Sequence, residues 1–368
     1  MRKRTRRRTR DKAIRCVDLF SGAGGFSLAA IKAGINVVAA FERDVHASAT
    51  YGANIGKRSK VRLYEGDISE YKPDEIAKRH FAKRACDIVL GGPPCQGFSV
   101  HRINGAGIKD PRNELLFTYF KFVKALAPRI FLVENVPGIL WPRHADYLKK
   151  FISEASSAGY IVRDPVTLDA RDYGVPQRRK RVFILGVRSD VELNIQWPPA
   201  PTHSGTAPPR SKFARSKTKP WITSKEIFRR PLKASDVNNV HMQPSPSMVE
   251  VFRSTPRNGG SRRDSNRTLA CHDGHSGHSD VYGRINPNDC GPTMTTACIN
   301  PSKGRFVHPT EHHGITARHA ARFQTFPDWF KFVGGLMASG AQIGNAVPVK
   351  LGEVLLRSLV VGLRSAAK

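Results

Sequence analysis

A cysteine set behind two prolines is the first residue whose surroundings suggest chemistry. In Gly91-Gly92-Pro93-Pro94-Cys95-Gln96-Gly97-Phe98-Ser99 the prolines fix a non-helical backbone and present the thiol on a rigid loop. Such a thiol is a candidate nucleophile. With an ordinary pKa of about 8.5 it is only a few per cent thiolate at neutral pH, so it needs a positive charge or proton acceptor nearby. Cys16 and Cys86, inside apolar runs, fit buried structural thiols better. Glu134 closes the run Phe131-Leu132-Val133, where partial desolvation favours the protonated carboxyl and suits it to give a proton. In Gln177-Arg178-Arg179-Lys180-Arg181 alternate residues of an extended chain point the same way. Arg179 and Arg181 are therefore expected to share one face toward an anion or a carbonyl oxygen.

A second constellation reads as a nucleoside site. Asp18-Leu19-Phe20-Ser21-Gly22-Ala23-Gly24-Gly25-Phe26 sits where a strand turns into a helix, and glycines there let backbone approach a nucleotide closely. Glu42 follows Gly24 by 18 positions, at the end of the next apolar run, where a carboxylate can accept from both ribose hydroxyls. Asp67 adds a third acid at a strand end. The turn is not the dinucleotide fingerprint, since Ser27 stands where that pattern has Gly or Ala.

These residues need a scaffold that delivers strand ends to one rim. Residues 16–20, 36–41, 61–64, 86–90, 129–133 and 181–187 read as strands, and 26–33 and 114–126 carry apolar side chains at helical spacing. The alternation predicts an α/β fold, a doubly wound and mostly parallel sheet. After Trp197 the character changes: residues 198–220 hold six prolines, and 201–270 hold 14 Lys or Arg against four acids. We read 1–12 as a basic tail, 13–194 as the catalytic domain, 195–334 as a smaller loop-rich recognition domain, and 335–368 as a segment returning to the first. Trp221, Ile227, Phe228, Leu232, Met248, Val251 and Phe252 could give the insert a small core.

The balance of 60 Lys and Arg against 30 Asp and Glu, +30 in 368 residues, points to a polyanionic partner, with nucleic acid foremost. The first 15 residues contribute +8, so the remaining +22 lies in the body. Six cysteines without a Cys-x-x-Cys pair exclude a secreted disulfide framework and a zinc ribbon. No apolar run is long enough for a membrane span. A cytoplasmic location, at the nucleoid when bound to DNA, and a monomer are expected.

Pro93-Pro94-Cys95-Gln96, Glu134-Asn135-Val136, Gln177-x-Arg179-x-Arg181 and Gly344-Asn345-Ala346-Val347-Pro348, in this order, resemble the cytosine carbon-5 DNA methyltransferases over residues 15–190 and 280–368. The resemblance implies S-adenosylmethionine as cofactor, held by Phe20, Gly22, Gly24, Glu42, Asp67, Pro93, Asn345 and Val347. It implies Cys95 as nucleophile, Glu134 as the acid at the cytosine ring, and Arg179 and Arg181 as the side chains holding the base and nearby backbone. The chemistry accounts for this set. Carbon 5 of cytosine is too electron-poor to be methylated directly, so a thiolate first adds to carbon 6; Glu134 neutralises charge at ring nitrogen 3, and guanidinium groups polarise the ring oxygen. The target base must be flipped out of the duplex. Gln96 and Ser99, with Arg253, Arg257, Arg262 and Arg263 of the insert, are the expected contacts to double-stranded DNA.

Such an enzyme would serve a restriction–modification system, beside an endonuclease of the same site, or act alone. A tRNA methyltransferase of this chemistry would carry Cys-Phe-Thr, and no cysteine here precedes Phe. A catalytically silent DNA-binding relative would not need the rigid thiol. Cys271, His275 and His278 fall within eight residues without the separated pairs of a zinc finger, so no metal is expected. One departure stands out: His319 replaces the Glu that the family usually has there, which bears on the packing and docking of the recognition region.

Overall fold

The computed structural model describes residues 13–94, 114–205, 218–265 and 280–366. The chain divides into two compact units, the first Met1–Leu168, Lys180–Ala200 and Leu351–Lys368, the second Asp169–Arg179 and Pro201–Lys350.

The first unit is built on an eight-stranded sheet of β1 (Arg15–Leu19), β2 (Asn36–Glu42), β3 (Arg62–Glu65), β4 (Ile88–Gly91), β5 (Ile130–Asn135), β6 (Tyr160–Val162), β7 (Val166–Asp169) and β8 (Lys180–Arg188), in the order β3-β2-β1-β4-β5-β8-β6, with β7 paired to β8. The first five strands run parallel, and β8 lies antiparallel between β5 and β6. Strands covered on both faces read as unbroken apolar runs, and every residue of β4 and β5 is buried. Helices α1 (Gly25–Lys32), α2 (Val45–Tyr51), α3 (Pro73–Phe81), α4 (Glu114–Leu126) and α5 (Ala145–Ser157) supply the connections. Between sheet and helices, Phe120, Phe131, Phe151 and Tyr160 pack edge to face or tilted at centroid distances of 5.3–6.5 Å. Gly91 is obligatory, because a Cβ there would lie 2.7 Å from the Tyr119 ring and 2.9 Å from Leu19 O.

Register decides what reaches the rim. Leu19 lies beside Phe41 and Gly91, Glu42 beside Glu65, and Gly91 beside Val133, so Phe20, Glu42, Asp67, Pro93 and Glu134 all emerge at the carboxyl ends. The order reverses between β1 and β4, and in open α/β sheets that crevice is where ligands bind. Strands β6 and β7 were not foreseen from the sequence.

The second unit is mostly irregular. Beside the two-residue strands His203–Ser204 and Lys219–Pro220 it contains α6 (Lys225–Arg229), α7 (Pro246–Ser254), α8 (Ala317–Phe323) and α9 (Leu336–Asn345); α10 (Val349–Ser365) closes the chain. Ile227, Val251 and Phe252 are buried, whereas Trp221, Phe228, Leu232 and Met248 are half-buried. Buried guanidinium forks bind what this loop-rich backbone leaves open. Arg284 donates to the carbonyls of Phe252, Thr255, His308 and Glu311. Arg318 pairs with Asp236 and reaches Phe330 O, and Arg322 pairs with Asp328 and reaches Ile227 O. Four described cysteines, Cys16, Cys86, Cys290 and Cys298, are free and buried. No helix among the described residues is long and apolar enough to cross a membrane.

Candidate active site

The turn after β1 is held open by backbone in uncommon conformations. Phe20, a non-glycine, has φ 60°, and Gly22 and Gly24 have φ 55° and 98°; left-handed backbone at a bulky residue persists only where its surroundings enforce it. Gly22 N donates to Glu42 Oε2 at 2.7 Å and Asp44 N to Glu42 Oε1 at 2.8 Å. Burial raises the Glu42 carboxyl above its ordinary value, and these N–H bonds oppose that rise. Each oxygen keeps acceptor capacity beyond that one N–H, and a Cβ on Gly22 would meet nothing within 4 Å. Open space over a glycine turn, beside a carboxylate with spare lone pairs, fits a ribose with two hydroxyls.

Beneath the turn lies a buried polar chain. Tyr51 Oη donates to Ser27 Oγ at 2.8 Å, and Ser27 Oγ donates to Asp18 Oδ2 at 2.6 Å. Asp18 is 1% exposed and its Oδ1 has no hydrogen-bond partner; burial pushes the carboxyl up to about 7 against the Ser27 bonds. A π-helical segment, Gly52–Gly56, continues α2 and brings Ile55 onto the turn with Tyr51. A Cβ on Gly24 would lie 2.3 Å from Ile55 Cδ1 and 3.0 Å from the Tyr51 ring. Asp67 caps Ile68–Glu70 by accepting from Ser69 N and Oγ, and those bonds, with Arg43 at 3.7 Å, hold its carboxyl below the usual range.

At the end of β5 Glu134 is 8% exposed. Its Oε1 lies 2.9 Å from Arg181 Nε, yet the N–H is not directed at it, and among the described residues this buried oxygen makes no hydrogen bond. The contact is thus a close charge pair with an unused acceptor. Arg181 Nη1 donates to its neighbour Lys180 O, and a Cβ on Gly92 would lie 3.3 Å from Glu134 Oε2, which places the start of the cysteine loop against the carboxyl. Asn135 Nδ2 donates to Pro93 O at 3.5 Å. Cys95, Gln96 and Ser99 lie outside the described residues.

Arg179 corrects the expectation of a shared face. It belongs to the second unit and is 1% exposed. Its guanidinium donates to Met294 O and Gly344 O at 2.8 Å and to Ala346 O at 3.1 Å. The reason is the crowded backbone it braces, for a Cβ on Gly344 would lie 2.2 Å from Thr295 O. Gln324 Nε2 donates to Ile343 O and Ala346 O, and Gln177 links Phe323 O to Met294 N. The clamp leaves Asn345 exposed and Val347 buried. Neither Gln324 nor the Asp18–Ser27–Tyr51 chain stood out in the sequence, because both act through non-local partners.

Among the recognition arginines, Arg257 and Arg263 are exposed and Arg253 pairs with Glu250 at 2.5 Å. Arg262 differs from the expectation: on the short helix Arg262–Asp264 it is only 7% exposed, so little of it reaches solvent. His319 stands where a capping box commonly has Glu or Gln and fills that place. Thr316 Oγ1 accepts from His319 N at 3.1 Å, while His319 Nδ1 accepts from Thr316 N at 3.4 Å, a reciprocal box at the start of α8. Burial, then His308 and Arg322, hold this imidazole well below its ordinary value, as an accepting Nδ1 requires. Cys271, His275 and His278 lie outside the described residues; among those described, no group of three or more His, Cys, Asp or Glu could hold a metal.

Residues 14–360 match the family described as C-5 cytosine-specific DNA methylase. The chain is 30% identical to the type II methyltransferase M.XorII of Xanthomonas oryzae pv. oryzae over 95% of its length and 85% of that protein's. It is 33% identical to M.MthTI of Methanothermobacter thermautotrophicus, over 92% of this chain and 95% of that one. Among solved structures it resembles a DNA modification methyltransferase encoded within a prophage of E. coli, at TM-score 0.66 and 28% identity, covering 96% of this chain and 100% of that chain.

Proposed function

This chain belongs to the C-5 cytosine-specific DNA methylase family, and from that membership we propose how its residues act. It is a DNA cytosine-5 methyltransferase. S-adenosylmethionine, the methyl donor in this chemistry, supplies an electrophilic methyl group when bound. Gly22 and Gly24 let the backbone approach it, Glu42 accepts from its ribose hydroxyls, and Asp67 and Pro93 flank it.

Cys95 adds as thiolate to carbon 6 of a cytosine flipped from the duplex, and Glu134 holds a proton at ring nitrogen 3 as charge develops there. Arg181 orients the Glu134 carboxyl and polarises the ring oxygen. Once carbon 5 carries the methyl group, water removes its proton and Cys95 leaves. The observation that carries this reading is the buried Glu134 Oε1, 2.9 Å from a guanidinium and without a hydrogen bond among the described residues. A buried acceptor of that kind needs a donor, and the polar edge of a cytosine offers one.

The second unit, with Arg253, Arg257 and Arg263, reads the target site, and the type II relatives favour service beside an endonuclease. The test is cytosine-conversion sequencing of plasmid from a host without cytosine methylation, expressing the parent, Cys95→Ala or Glu134→Gln. We expect one short motif protected by the parent, none by Cys95→Ala, and a rate reduced about 100-fold or more in Glu134→Gln at unchanged cofactor affinity. Soluble parent that binds duplex DNA without protecting any cytosine would make it a silent binder.

A further inference from the structure

The amino ends of the parallel strands form a rim opposite the one that carries Glu42 and Glu134, and basic side chains gather there. Arg15 opens β1, Arg62 opens β3, and Lys83 and Arg84 lie between α3 and β4. The Arg15 guanidinium donates to His80 O and Arg84 O, both at 2.7 Å. His80 is pushed below its ordinary value by burial and then by Arg79, Arg15 and Arg62. Arg15 itself is lowered by burial and then by Arg84, with Asp87 as the opposing acid. These residues therefore form one crowded positive cluster. Lys60, Arg62, Arg79 and Lys83 are exposed, and among the described residues none of the four is ion-paired. Asp87 is already engaged by Arg15 N and by Arg129 at 3.8 Å. Ala13 O, where the described chain begins, accepts from Arg84 on this rim, and the 12 residues before it carry eight Lys or Arg against one acid.

We propose that this amino-end rim, through Lys60, Arg62, Arg79 and Lys83, is a second and sequence-independent contact for the phosphates of duplex DNA. Protection of an exposed sheet edge by charge accounts for Arg62 on β3 and Lys60 just before it, but not for Arg79 late in α3 or Lys83 after it, which belong to the connection that leads to the amino end of β4. Like charges held together in a folded body repel one another, and a polyanion relieves this with release of its counterions. Duplex DNA is the polyanion this enzyme already meets, so the partner rests on the reading above. The rim faces away from Glu134, so a duplex bound here is a second segment. The enzyme would hold one stretch of DNA while it methylates another.

The test uses the full chain with Lys60→Asn, Arg62→Gln, Arg79→Gln and Lys83→Gln combined; Asn suits position 60, where φ is 55°. The plot of log affinity against log salt for a non-target duplex should flatten by about 3–4 units of slope, close to 0.9 for each lost contact. Capture of a labelled second duplex by enzyme on an immobilised target duplex should fall several-fold. The initial methylation rate on a short target duplex should stay within about twofold. Equal slopes and equal capture in variant and parent overturn the proposal, as does a slope change seen with anionic vesicles but not with duplex DNA. Should the combined variant lose its fold, Lys60→Asn with Lys83→Gln must give about half the slope change, and no change overturns it. A parent that methylates nothing while the slope difference persists would sink the enzyme reading and leave this surface standing.

Discussion

Asp18 is the residue whose surroundings make the sharpest demand. One of its oxygens takes the Ser27 hydroxyl, and burial lifts the carboxyl from 3.8 to about 7. The folded state therefore keeps a proton that the unfolded chain gives up. Its contribution to stability is complete below about pH 4 and falls with rising pH until it is lost above about pH 7, at up to about 1.4 kcal/mol per pH unit. Asp18→Asn should remove this fall, so chemical denaturation of parent and variant should diverge from about pH 4 to pH 7, with the variant the more stable at the upper end. Parallel curves would mean that the carboxyl is ionised throughout. The sequence marked Asp18 only as the start of a glycine turn. Glu42, Asp67 and Glu134 were legible because each stands at the end of an apolar run, whereas Asp18 titrates because of Ser27 and Tyr51, which no local pattern ties to it. Arg179 shows the converse: strand alternation gave its neighbourhood a direction, but the residue precedes β8 and follows the carbonyls of the second unit instead.

At the scale of elements, the π-helical continuation of α2 and the glycine turn are one device. The wider helical turn seats Tyr51 and Ile55 on Gly24, and single π-turns of this kind recur at functional sites. Gly24→Ala would force a Cβ to within 2.3 Å of Ile55 Cδ1 at φ 98°, so we expect a loss of about 1–3 kcal/mol together with weaker cofactor binding by calorimetry. Unchanged melting and affinity would show that α2 can retreat. Five of the six foreseen sheet strands were legible because their apolar runs are largely buried, whereas β3, half exposed at the sheet's edge, was legible only from Val61, Leu63 and Tyr64. Strand β6, at only three residues, and β7, with half its residues half-buried, carry too little periodicity to be read. The short elements of the second unit were illegible for another reason, since buried arginines rather than a patterned apolar face hold them.

Taken whole, the molecule joins two units stabilised by different physics, and acid should tell them apart. In the second unit burial holds His308 down at about 4 and lowers His313 and His319, with His241 stacked on His313 at 3.8 Å. Depressed imidazoles contribute stability that is present above about pH 6.5 and lost as pH falls toward 4, the reverse of Asp18 in the first unit. Between pH 6.5 and 4.5 thermal unfolding should broaden or split, with the second unit melting first. His319→Gln, which can keep the reciprocal cap without titrating, should reduce the effect, and a single sharp transition throughout would count against independent units. The +30 charge was legible as an appetite for nucleic acid, but the gathering of part of it on the amino-end rim depends on topology.

The buried thiols give this division a clock. Cys16 and Cys86 sit in the first unit and Cys290 and Cys298 in the second, and burial raises all four above the ordinary thiol value. A thiol so placed meets an alkylating reagent only when its surroundings open. Each unit thus keeps its own internal record of how often it breathes, written in sulfur and readable by peptide mass without any introduced label.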